Sequence, residues 1–171
     1  MNDEQVLIRP LQARDAAGFT ALRLQAIADS PSAIWSTFDE ESGRSPEEVR
    51  ARIEENDGQV VLGAVLGAQL IGIAGLRRAA PAQVAHKGVL WGVMVAPSQR
   101  RGGVARRLID AVLAQAAQRG LRQVNLSVNT ENLRARQLYH SIGFASFGIE
   151  PRAMRVGARF YDEEHMTLAL A

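Results

Sequence analysis

The chain has 171 residues, 47% of them apolar and 22% charged, with a formal net charge of +2 and no cysteine. That length suits one domain able to bury a core unaided, and the missing thiols exclude a disulfide framework, a cysteine nucleophile and a thiolate metal site. No apolar run is long enough to span a bilayer, and the opening Met1-Asn2-Asp3-Glu4-Gln5 lacks the basic and apolar parts of a secretory signal, which predicts a cytoplasmic protein.

Val6 to Pro10 reads as a short strand stopped by proline, after which Asp15 is placed to cap a helix running to about Ile27. The stretch from Asp29 to Ser45, rich in Ser, Pro and Asp, reads as a long loop carrying Trp35 and Phe38. Ser45-Pro46-Glu47-Glu48 then has the form of a helix start, with serine as cap and proline in the first turn. Two apolar segments, Val60 to Leu66 and Gln69 to Leu76, flank Gly67-Ala68 and predict a hairpin. Val89 to Val95 is apolar almost throughout, as expected of a strand covered on both faces. Past a glycine loop, Val104, Leu108, Ile109, Val112, Leu113 and Ala116 share one helical face, and Gly120 supplies the stop. Val124, Leu126 and Val128 alternate as a strand, Asn132 to Ile142 reads as a short helix closed by Gly143, and Phe144 begins the next strand. Met166, Leu168 and Leu170 mark a last strand, preceded by the polar segment Tyr161 to His165.

With so small a net charge, the basic residues matter by placement, and Arg100, Arg101, Arg106 and Arg107 form the densest group. Between them lies Arg100-Arg101-Gly102-Gly103-Val104-Ala105, set between a strand and a helix. Glycine permits close backbone approach, and the orphan N–H groups at a helix start carry the positive end of the dipole, so a diphosphate would fit there. No Gly-Lys-Ser/Thr and no G-x-G-x-x-G occurs, which argues against a Walker-type or dinucleotide site.

Arg100, Gly103 and Ala105 match in register the Arg/Gln-x-x-Gly-x-Gly/Ala loop of the GNAT acetyltransferases, and Asn132, Ala135, Leu138, Tyr139, Gly143 and Phe144 resemble the helix that follows the fifth strand of that family. Arg101 and Ala105, the latter in place of the commoner glycine, depart slightly from the pattern. The resemblance implies an α/β fold with a central mixed, mostly antiparallel sheet of about seven strands flanked by about four helices. It further implies acetyl-CoA as co-substrate without a metal. Arg100, Arg101, Gly102, Gly103, Val104 and Ala105 would hold its pyrophosphate, the backbone of Val93, Met94 and Val95 its pantetheine arm, and Asn132 would contact it. Tyr139 would be the acid that protonates the departing thiolate.

Asn132 and Tyr139 lie about two turns apart and so share a helical face. Phe38, Glu40 and Glu41 are candidate acceptor contacts, since aromatic walls and carboxylates suit an amine. The base is left open among Glu40, Glu41, Glu150, Asp162, Glu163 and a water chain; each carboxylate by itself reads as a solvated surface group. His86, His140 and His165 have no metal-triad spacing. The reading is transfer to a primary amine of a small molecule or amino acid, by direct attack, in one domain spanning 1–171 that is compatible with a homodimer and has no nucleic-acid or membrane partner. The rivals are an acyl-CoA sensor without turnover and acetylation of a protein N-terminus or lysine.

Overall fold

The computed structural model describes residues 5–171, so the acidic start Met1 to Glu4 lies outside the described residues. Strands β1 (Leu7–Pro10), β2 (Gln59–Leu66), β3 (Gln69–Arg78), β4 (Lys87–Val95), β5 (Gln123–Asn129), β6 (Ala145–Val156) and β7 (Arg159–Ala169) form one seven-stranded sheet in the order β1-β2-β3-β4-β5-β7-β6. Only β4 and β5 run parallel. The helices are α1 (Ala16–Asp29), α2 (Phe38–Ser42), α3 (Pro46–Ile53), α4 (Val104–Gln118) and α5 (Leu133–Ile142).

The near-continuous apolar sequence of β2 follows from cover on both faces. Val60, Leu62 and Ala64 join a core with Leu108, Ile109 and Val112 of α4, while Val61 belongs to a second core with Phe19 and Leu22 of α1 and Val49 and Ile53 of α3. The expected α4 face is buried except for Leu113, which is partly covered, and Gly120 ends the helix in the left-handed region at φ +71. β4 is covered less fully than its composition suggests, since Val89 is 44% exposed.

Several expectations need correction. Asp15 does not cap α1 with its side chain; it forms a bidentate pair with Arg9 at 2.7 and 2.9 Å and accepts from the Gln12 N–H. The presumed loop from Asp29 to Ser45 contains a 3-10 turn, Pro31–Ala33, and α2, which starts with a capping box between Thr37 and Glu40. The polar run Tyr161 to His165 belongs to β7, and its two glutamates are buried: Glu163 and Glu164 are 4% and 3% exposed. Glu164 lies against α5 and pairs with Arg136. Hydrophobic alternation could not reveal this strand, because what lets the acids be buried comes from elements distant in sequence.

Candidate active site

From β4 the chain makes a short turn, Pro97–Gln99, and reaches α4 through residues 100–103. Arg101 and Gly103 both have positive φ, +70 and +76, and no side chain caps the first turn of α4. The N–H groups there lack protein acceptors by construction of a helix and face outward with the dipole. A Cβ built on Gly103 would meet nothing within 4 Å, so the backbone fronts open space. The residues fit a phosphate ligand on that ground.

The arginines mostly serve the scaffold. Arg100 turns back, donating from Nε to the Val95 carbonyl at 3.2 Å and from Nη2 to Asp29 at 2.8 Å, which clips the loop to the ends of β4 and α1. Arg106 bonds Ser141 of α5 and Arg107 the Val6 carbonyl. Arg101 is exposed beside the two glycines. Positive charge therefore lies along the loop, and it is the backbone at Gly103 that fronts open space, the candidate cradle.

Next to the cradle the sheet opens. The β4–β5 ladder holds only at Lys87↔Gln123, Gly88↔Val124 and Val89↔Asn125, so the β5-facing edge of β4 has no ladder partner from Leu90 onward. Gly92, at φ +64, sits in the bulge where Ile73 and Gly75 of β3 face Met94 and Trp91, just past the end of the ladder to β5. Val93, Met94 and Val95 occupy that opened edge.

Asn132 caps α5, its Oδ1 accepting from the Ala135 N–H at 3.2 Å, which leaves its amide N–H₂ for a ligand. Tyr139 is 8% exposed, packed edge-on against Phe144 with ring centroids 5.9 Å apart, inside the core that also contains Val128, Val93 and Val95. Burial pushes its phenol up to about 12. Its hydroxyl makes no hydrogen bond among the described residues, and it is not sealed from solvent.

The carboxylates expected to meet an acceptor have other partners. Glu40 is exposed and accepts from the Thr37 N–H at 2.7 Å, completing the α2 cap. Glu41, 1% exposed, bonds Arg23 at 2.6 Å and Arg52 at 2.8 Å, with Arg44 at 3.7 Å. Both serve the fold; Phe38, at the start of α2, is half exposed. Burial alone would raise the Glu41 pKa, but the hydrogen bonds and charges of Arg23 and Arg52 outweigh it and hold the carboxyl below its usual range. Its stabilisation is therefore present above the unfolded-state pKa of about 4.3 and lost as pH falls through the lower folded value. Glu41→Ala leaves the buried Arg23 unpaired, with Arg52 partly so, and is expected to cost about 3–5 kcal/mol, read by denaturant unfolding at neutral pH, with a smaller deficit in strong acid.

Sequence reasoning named Glu163 but read it as solvated. The structure buries it and sets Trp35 Nε1 on its Oε1 at 2.7 Å across a separation of 128 residues, a contact with no local signature.

A family model described as "Acetyltransferase (GNAT) family" matches residues 24–144, more than half of the chain and all of the loop and the α5 motif. The chain belongs to the GNAT acetyltransferase family. By family it is an N-acetyltransferase, an acyltransferase. The fold agrees: a GNAT-family acetyltransferase from Streptococcus pneumoniae superposes with a TM-score of 0.89 at 23% identity, over 97% of this chain and 100% of that one. The yncA protein of Salmonella typhimurium, solved with its cofactor acetyl-CoA, gives 0.85 at 22% identity, covering 98% and 95%. A ribosomal-protein-alanine N-acetyltransferase from Brucella melitensis gives 0.80 at 26% identity, covering 96% and 99%.

Proposed function

We propose that this GNAT protein binds acetyl-CoA at the uncapped start of α4 and passes the acetyl group directly to a primary amine of a small molecule or amino acid. The observation that carries the reading is the open backbone cradle at Gly103 standing beside a strand edge left unpaired from Leu90. Residues 101–105 hold the diphosphate through backbone N–H groups, Val93, Met94 and Val95 offer a strand edge to the pantetheine amides, and the Asn132 amide contacts the same ligand. The reading also makes the protein cytoplasmic and allows a homodimer.

An alkylamine has a pKa near 10.4, so most of it arrives protonated and must lose a proton before attack. The chain has no cysteine to carry the acetyl group, and attack is direct within a ternary complex. As the thioester breaks, Tyr139 meets the charge growing on sulfur with its hydrogen bond. A free thiol has a pKa of about 8.5, well below that of the buried phenol, so a full transfer to a finished thiolate runs uphill. Tyr139 therefore acts in step with C–S cleavage: its proton passes to sulfur so that the thiol leaves, the attacking nitrogen gives up one proton to water, and solvent returns one to the phenol oxygen.

Thiol release from acetyl-CoA in the presence of an amine and amino-acid panel tests the reading. An alanine-first peptide belongs in the panel, because the likeness at 26% identity to the Brucella enzyme favours a protein N-terminus as the second reading. Release with small amines and none with the peptide supports the first. The opposite pattern supports the second. Binding without release by any acceptor would make the protein a sensor, a role for which Tyr139 is not needed.

A further inference from the structure

Glu163 is a carboxylate without a cation. It is 4% exposed, and among the described residues its one hydrogen bond is the one from Trp35 Nε1 to Oε1. Among the described residues no arginine, lysine or histidine lies within ion-pair distance, whereas its buried neighbour Glu164 has both Arg136 and His140. The group across the ladder on β6 is another acid, Glu150, already bonded to His165. An unpaired buried carboxylate costs stability, and like charges placed opposite on neighbouring strands add to the cost. The second oxygen of Glu163 is not sealed, so what compensates it can come from outside.

Its place in the sheet says where that oxygen opens. Glu163 pairs with Asn129, the last residue of β5. Val124, Leu126 and Val128 point into the core under α4, so Asn129 and Glu163 lie on the other face, toward the segment joining α1 and α2. That segment is tied down there twice, by Asn129 Nδ2 donating to the Ser32 carbonyl at 2.8 Å and by Trp35 on Glu163. Beyond Val89↔Asn125 the two strands run on side by side without a ladder, so the end of β5 at Asn129 lies across the opening from the last residues of β4. Glu163 thus stands at the mouth of the gap, on the face away from the phosphate cradle. Trp35, 73% exposed, holds one carboxylate oxygen by its edge and leaves its ring face free.

We propose that Glu163 is the anchor for the acceptor's ammonium group, with the Trp35 face as the wall for its carbon chain. The site accordingly selects acceptors that arrive as alkylammonium ions bearing an apolar or aromatic substituent. An ammonium at Oε2 supplies the missing cation and places the nitrogen at the gap, and the exposed indole face adds an attraction of its own. The inference rests on the acyl-transfer reading for its meaning, but the binding it asserts can be measured alone.

The test is a calorimetric titration of phenethylammonium chloride into the protein, with and without coenzyme A. Wild type is expected to bind it, and Glu163→Gln, which keeps an oxygen for Trp35 but removes the charge, to bind roughly 10- to 100-fold more weakly. Glu150→Gln is expected to change affinity little. Phenethyl alcohol, equal in shape but uncharged, is expected to bind wild type at least about ten-fold more weakly than the cation, a comparison needing no variant. In turnover, Glu163→Gln raises KM for alkylamines and spares an arylamine, which is neutral at pH 7. A carboxylate that merely latched the Trp35 segment would affect both amines alike. Equal affinity of wild type and Glu163→Gln, no binding to wild type, or alcohol binding as tight as the cation overturns the proposal. Acetyl-CoA stabilisation, followed on the same samples, reports separately on the acyl-transfer reading.

Discussion

Tyr139→Phe is expected to lower turnover by roughly 100- to 10,000-fold while leaving acetyl-CoA affinity and folding nearly intact, the range typical of a positioned general acid. The ring keeps its edge-on contact with Phe144 and its place in the core. Among the described residues the hydroxyl has no partner whose loss would confuse the result. The loss should shrink with an acyl donor whose thiol is more acidic, because that thiolate leaves without needing the proton. With the phenol raised to about 12, Tyr139 stays protonated throughout the working range, so any rate limb below pH 10 belongs to another group. Because its folded pKa lies above the unfolded value near 10, its linkage contribution is complete below pH 10 and lost as pH rises toward 12; the Phe variant lacks that component. Wild-type turnover in the Phe variant, with chemistry shown to be limiting, would make Tyr139 a packing residue.

The second large effect concerns the cradle. Acetyl-CoA at about 100 times its dissociation constant is expected to stabilise the wild type by about 2.7 kcal/mol, a rise of roughly 5–10 °C in Tm for a chain of this size. ATP and NAD should do less. Gly103→Val should abolish that rise, because the new side chain fills the empty space in front of the backbone. Valine at φ +76 also strains the fold by about 1–2 kcal/mol. Gly120→Val separates the two effects. Gly120 lies at the far end of α4 with φ +71 and equally open surroundings, so it carries similar strain but no ligand contact. That variant should lose a few degrees in Tm and keep the full acetyl-CoA shift. An unchanged shift in Gly103→Val would put the ligand elsewhere.

Where the sequence could be read, the signal was local. The Val104 to Ala116 stripe, the hairpin about Gly67, and the glycines at 120 and 143 announce themselves within a few residues of the elements they shape. Two motifs in order, Arg100 to Ala105 and Asn132 to Phe144, led to the family, and each owes its form to one helix start and the backbone beside it. The errors fell where distant partners decide. Glu41 reads as a surface carboxylate until Arg23 and Arg52 from two other helices close around it. The polar composition of Tyr161 to His165 hides a strand, because Arg136 and Trp35 permit acids at its buried positions.

Sequence alone, then, determined the fold class and the family of this protein, since each rests on propensity, periodicity or a turn that neighbouring residues specify. Tertiary structure alone decided that the β4–β5 ladder ends at Val89, that Glu40 closes the α2 cap while Glu41 pairs with Arg23 and Arg52, and that Glu163 is buried with Trp35 on its carboxylate. Burial, pairing and electrostatic compensation are properties of groups brought together from distant parts of the chain, and no window along the sequence contains both partners of such a contact.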